Sequence, residues 1–231
     1  MKVSGRQHLI IDADDTLWEN NIYFERAFEE FVEFLDHSRL SPRQVRDVLD
    51  EMELANVRIN GYGSLNFGRN LRQCYEHLVE REVREDDLRT VMGFAERILE
   101  CPMEVIPGVP ETLEYLASRH DLTLFTKGHP DEQKLKIERS GLGGFFAHAA
   151  IVKEKDPPAY RSLVAQRAME PGNTWMIGNS PKSDINPALE AGLNAVFVPH
   201  QHTWMLEKQD IVPGDGRLIV LEGFEQLRAN F

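Results

Sequence analysis

The chain has 231 residues, enough to bury a core as one large domain or as a domain carrying a sizeable insertion. Apolar residues at 42% and charged residues at 28% are ordinary globular usage, which excludes a disordered or fibrous chain. A formal charge of −12 without a Lys/Arg cluster argues against a nucleic-acid partner, and leaves a small anionic substrate open if local cations or a metal offset the field.

In chain order, MKVSGRQHLIID lacks the apolar stretch of a signal peptide, and no run of about 18 apolar residues offers a membrane span, so the cytoplasm is the expected compartment. Residues 7–13 read as a short buried strand that runs into the acids Asp12, Asp14 and Asp15 of "IIDADDTLWE". Apolar stripes follow at helical spacing: Phe24, Phe28, Phe31, Val32 and Leu35, then Val45, Val48, Leu49 and Met52. Two more run through Phe67, Leu71, Cys74 and Leu78 and through Leu88, Val91, Met92, Ala95, Ile98 and Leu99, which predicts a four-helix insertion. These stripes are core-forming rather than ligand-lining, and Gly61, Gly63 and Gly68 place a loop at "NGYGSLNFG". Cys74 and Cys101 lack metal-ligand spacing and are expected in the core of a reduced protein.

From residue 105 strands at 122–126, 149–152, 174–178 and 195–199 alternate with helical segments that begin at Pro110 and Pro130 or end at Gly141 and Gly192. Residues 200–216 show no periodicity, and a strand-like RLIVL and a short helix close the chain. Alternation of this kind predicts an α/β fold with a doubly wound parallel sheet. The expected domains are an α/β core from 1–18 and 104–231 and a helical cap from 19–103.

Three acids at the carboxyl end of a strand sit where open α/β sheets place ligands. Crowded carboxylates repel unless a cation lies between them or one carries a proton, and oxygen donors without His or Cys select Mg²⁺ over zinc. Turn hydrogen bonding by Asp14 and Asp15 is the bland alternative for this motif alone. Three further elements lie on later strand ends: Thr126 in "LFTKG", Lys155 in "VKEKDPP" and Asp184 in "GNSPKSD".

In this order the four motifs resemble the haloacid dehalogenase superfamily, specifically its phosphatase branch with a helical cap inserted after the first motif. The resemblance covers about 7–20 and 105–200, and implies a Rossmann-like core and hydrolysis of a small phosphorylated metabolite. It implies Asp12 as the nucleophile that forms an aspartyl-phosphate, and Asp14 as the acid and base for the leaving alcohol and the water. By the same resemblance Thr126 hydrogen-bonds a phosphoryl oxygen, and Lys155 offsets charge on the phosphate and on Asp12. Mg²⁺ is expected on Asp12, Asp184 and the carbonyl of Asp14.

The chain departs from the common pattern where Asn179 replaces an acid, so that Asn179 reaches the metal directly or through water with one charge fewer. Lys127 follows Thr126 where Asn is frequent, and reads either as a substrate contact or as a solvated lysine. Lys155 is chosen over Lys153 because Pro157, Pro158, Ala159 and Tyr160 resemble the segment that follows the family's lysine. Tyr62, Asn66, Phe67 and Arg69 are candidates for leaving-group contacts, against a plain interhelical loop. Trp18 and Asn20 are expected to face substrate, His129 to face solvent, and Asp15 to act as a turn residue. A 2-haloacid dehalogenase is the alternative from the same superfamily, but a halide needs no acid at the position of Asp14, whereas an alkoxide does. A catalytically silent binding protein on the same scaffold and a phosphorylated receiver domain are the non-enzyme alternatives, the latter disfavoured by length and by the helical insertion.

Overall fold

A computed structural model describes residues 3–214 and 216–231. The chain forms two compact units, 1–19 with 103–231, and 20–102.

The first unit is built on six parallel strands: β1 (His8–Ile11), β2 (Asp121–Lys127), β3 (His148–Val152), β4 (Thr174–Gly178), β5 (Asn194–Phe197) and β6 (Leu218–Val220). Their order is β3-β2-β1-β4-β5-β6, and every neighbouring pair runs parallel. β1 is the pivot, with Ile11 paired to Leu124 on one side and to Ile177 on the other. The order of strands reverses around it, and the crevice beyond its carboxyl end is where such sheets bind ligands. Leu9, Ile10 and Ile11 are wholly buried, as befits a central strand covered on both faces. Leu9 and Ile11 pack with Leu113, Leu116 and Trp175 on one face, while Ile10 packs with Phe125, Tyr160 and Met176 on the other. The first strand is thus shorter than the run 7–13, because the chain turns after Ile11 to present Asp12.

Helices α1 (Asn21–Leu35), α2 (Pro42–Asn60), α3 (Ser64–Leu78) and α4 (Glu85–Glu96) make up the second unit. Phe28, Phe31, Leu35, Val45, Leu49, Phe67, Leu71, Leu88 and Val91, all on the predicted stripes, form its core. Ser41 caps α2 with a reciprocal pair: its hydroxyl accepts from the Gln44 N–H, and its own N–H donates to the Gln44 side chain at 2.9 Å. Two expectations fail here. α3 begins at Ser64, so Phe67, Gly68 and Arg69 are helical and not part of a loop. Gly68 is there for packing, since a Cβ would lie 3.0 Å from Ala95 and 3.1 Å from Met92 of α4. Cys101, expected in the core, is half-buried beyond the last turn of the bundle, whereas Cys74 is fully buried.

The core unit also carries α5 (Val109–Ala117), α6 (Pro130–Ser140), α7 (Pro157–Gln166), α8 (Asn186–Glu190) and α9 (Leu227–Asn230). A π-helical turn at Pro181–Ile185 leads into α8, with the Ile185 N–H on the Ser180 carbonyl. Such widened turns concentrate at functional sites because they re-aim a side chain. None of the described helices is long and apolar enough to cross a membrane.

Candidate active site

Asp12 follows β1 directly, and its N–H still bonds the Ile177 carbonyl of β4 at 2.9 Å, so the side chain projects from the sheet's central crevice. The next residues form a tight turn. The N–H groups of Thr16 and Leu17 return to the Ala13 carbonyl, and Asp15 takes a left-handed φ of 58°, a conformation Asp tolerates. The turn brings the Thr16 hydroxyl back to Asp12 Oδ2 at 3.1 Å.

The ends of β3 and β4 converge on Asp12. Lys155, three residues past β3, donates from Nζ to Asp12 Oδ1 and, at 2.6 Å, to Asp184 Oδ1. The three side chains are almost completely buried. Lys153, by contrast, is exposed. Asp184 sits in the π-helical turn, where its Oδ2 accepts the Ser180 N–H at 2.9 Å. Gly178, the last residue of β4, permits this approach, because a Cβ there would lie 2.2 Å from Asp184 Oδ2.

Burial above all, and then the charge of Asp184, push the Asp12 carboxyl up to about 7 against the pull of Lys155. Burial disfavours the Lys155 ammonium, but Asp12 and Asp184 outweigh it and hold that group charged, above its ordinary range. Two acids thus share one cation in a desolvated cleft. The Asn179 Oδ1 accepts from the Thr16 hydroxyl at 3.3 Å, and its Nδ2 donates to Thr203 at 3.0 Å, so its oxygen is turned to the Asp12 side. The donors here are all oxygens and the local charge is negative, which suits a hard divalent cation.

Thr126, on β2, is 1% exposed. Its Oγ accepts from Gln133 Nε2 at 2.6 Å, which leaves the hydroxyl proton to donate elsewhere. Gln133 also donates to Asp14 Oδ2 at 3.1 Å, so one amide group ties Asp14 to Thr126. Trp18, expected to face substrate, is instead wholly buried, and its indole N–H donates to Asp14 Oδ1 at 2.8 Å. Lys127 is neither a substrate-facing nor a solvated lysine: its Nζ lies 2.5 Å from Glu207 and 2.8 Å from Ser183. The other Glu207 oxygen accepts from Ser180 at 2.6 Å. Burial favours the protonated Glu207, but Lys127 and the serines prevail and hold its carboxyl below the ordinary range.

In the helical unit, Arg69 is exposed on α3 and donates to Asn66 at 2.8 Å. Asn66 in turn donates to the Asn60, Gly61 and Tyr62 carbonyls and so closes the end of α2. Phe67 packs edge-on against Phe24, 5.2 Å between centroids. His129 is exposed, at the start of α6. Sequence reasoning passed over Gln133, Lys136, Glu207 and His200. His200 lies 3.8 Å from Asp15 and 3.4 Å from Glu19, and these three residues bring ligand-type atoms within 4.8 Å of one another.

The family model for haloacid dehalogenase-like hydrolases matches residues 7–192, most of the chain. The chain belongs to this family. A phosphoserine phosphatase from Thermus thermophilus is 31% identical over 101 residues, 40% of this chain and 41% of that protein. A glyceraldehyde 3-phosphate phosphatase from Pyrococcus furiosus is 31% identical over 98 residues, with the same shares. The match thus spans about two fifths of the length of these curated relatives. A solved haloacid dehalogenase-like family hydrolase from Xanthomonas campestris superposes with a TM-score of 0.84 at 28% identity, covering 99% of this chain and 92% of that one.

Proposed function

We propose that this hydrolase is a Mg²⁺-dependent phosphomonoesterase that acts on a small phosphorylated metabolite through an aspartyl-phosphate. The observation that carries this reading is the pair of acids: Asp12 buried against Lys155, and Asp14 joined to Thr126 through Gln133. A second acid in that position has work to do when the leaving group is an alkoxide and none when it is a halide. The two curated relatives named as phosphatases support the same choice.

In this mechanism an Asp12 oxygen attacks phosphorus, the ester P–O bond breaks, and Asp14 gives its proton to the departing alkoxide. Water then attacks the aspartyl-phosphate, Asp14 takes its proton, and phosphate leaves Asp12 free. Thr126 donates its hydroxyl proton to a phosphoryl oxygen, and Lys155 offsets the charge that gathers on the phosphoryl group. Asp12, Asp184, the Asp14 carbonyl and Asn179 would hold Mg²⁺, which when bound shields the approach of one anion to another. With Asn179 in place of an acid, the site supplies less charge to the cation, which implies modest affinity.

Release of phosphate from 4-nitrophenyl phosphate tests the reading. Turnover that requires Mg²⁺, stops with a chelator and disappears in Asp12→Asn is the expected result. Halide release from 2-haloacids without any phosphate release from esters would overturn it.

A further inference from the structure

Asp14 is held far more tightly than a turn residue requires. Its Oδ1 accepts from Trp18 Nε1 at 2.8 Å and from Lys136 Nζ at 2.9 Å. Its Oδ2 accepts from Lys136 Nζ at 2.8 Å and from Gln133 Nε2 at 3.1 Å. The ammonium of Lys136 therefore straddles the carboxylate, with neutral donors on either side. Those neutral donors are themselves fixed. Trp18 is locked in the core, and the Gln133 amide also bonds Thr126 and the Lys127 carbonyl. Gln133 and Lys136 lie three apart on α6, one turn on the same face, so a single helix addresses both Asp14 and Thr126. The ion pair is largely shielded, with side-chain exposures of 17% for Lys136 and 23% for Asp14.

We propose that Lys136 is a positioning residue that fixes the Asp14 carboxylate where it serves the leaving group. The proposal rests on the phosphatase reading, in which Asp14 is the acid. Holding a proton donor to within a fraction of an ångström is what makes it effective, and losing that placement costs up to about a hundredfold. Neither Trp18 nor Gln133 can replace Lys136, since each donates one bond to one oxygen while the ammonium spans both. An ion pair that only stabilised the fold would leave the chemistry of different esters equally affected.

Leaving-group dependence separates the two roles. Phenolate is about as basic as an ionised tyrosine side chain, so phenyl phosphate needs a proton delivered to the departing oxygen. The 2,4-dinitrophenolate ion leaves without one. kcat/KM reports the step that breaks the ester bond, before hydrolysis of the intermediate. With wild-type protein, Lys136→Met and Lys136→Arg, the expected result is a loss of about tenfold or more for Lys136→Met on phenyl phosphate. Its loss on 2,4-dinitrophenyl phosphate is expected to stay within about threefold, and Lys136→Arg to recover most of the difference. Turnover of the dinitrophenyl ester also shows that the variant is folded. Should Lys136→Met fail to fold, Lys136→Gln carries the same comparison. Equal losses on both esters, or no loss on either, overturn the role of Lys136 while leaving the phosphatase reading intact. Absence of wild-type turnover on both esters overturns that reading and this one with it.

Discussion

Glu207→Ala is a severe test of how the fold supports the site. The substitution removes a carboxylate that is 7% exposed and accepts from Lys127 at 2.5 Å and from Ser180 at 2.6 Å. Lys127, whose side chain is 14% exposed, would lose this counter-charge and keep its bond to the Ser183 hydroxyl. Removing one member of a buried pair costs about 3–5 kcal/mol, because the remaining desolvated charge loses its opposite charge. For a protein of this size each kcal/mol moves the melting temperature by about 2–4 °C, which puts the expected fall between roughly 6 and 20 °C. Replacing both partners by apolar residues, Lys127→Met with Glu207→Leu, is expected to recover most of the loss, since no charge is then stranded. Calorimetry on wild type, Glu207→Ala and the double variant measures both quantities. The pH dependence supplies a further check. The folded carboxyl of Glu207 lies below its ordinary range. Its contribution to stability is therefore fully present above the unfolded pKa of about 4.3, and is lost as pH falls through the lower folded value. Glu207→Gln is expected to be less sensitive than wild type in that acidic window. A melting temperature for Glu207→Ala within about 2 °C of wild type would refute the reasoning.

Other sites give independent tests. Gly178→Ala sets a Cβ 2.2 Å from Asp184 Oδ2 and 2.9 Å from its Cβ, so the acid has to move and not merely rotate its tip. A destabilisation of about 1–3 kcal/mol and loss of phosphate release together are expected, checked by denaturant unfolding and the Mg²⁺-dependent assay. Burial pushes the Cys74 thiol up to about 12, whereas Cys101 is half-buried. An aromatic disulfide reagent at pH 8 is expected to modify one thiol in the native protein and two in denaturant, with fast labelling of both in native buffer counting against the buried assignment. Lys155→Met leaves Asp12 and Asp184 facing each other without a cation. Unfolding free energy is then expected to drop more at pH 8 than at pH 5, where protonation relieves the repulsion, and an equal drop at both would contradict this electrostatic account.

The periodicities of the chain determined much of the architecture. The apolar stripes around Phe31, Leu49, Leu71 and Val91 record which face of each helix is buried, and the runs at Ile10 and Ile177 record strands covered on both faces. These are local properties, written in spacing alone. Gly68 was misread because spacing shows a helix breaker, whereas the close approach of Ala95 and Met92 that requires a glycine exists only once α3 and α4 pack. The site divides in the same way. Asp12 and Asp14 announce themselves by crowding like charges at a strand end. Lys155 was separable from Lys153 only through the resemblance of the segment that follows it, and packing gives the physical reason: Lys155 lies between Asp12 and Asp184, whereas Lys153 is exposed. Glu207 lies in a stretch without periodicity, 80 residues from the lysine it pairs with, and Lys136 is 122 residues from Asp14. A buried charge is stabilised by whichever opposite group the topology delivers within hydrogen-bond distance, so its partner is a property of the packed sheet and not of any segment. The sequence by itself determined the elements, their buried faces, the acids at the end of β1 and, through the resemblance, Lys155; the tertiary structure alone decided that Trp18, Gln133 and Lys136 hold Asp14, because the contacts from Gln133 and Lys136 exist only once α6 packs on the sheet.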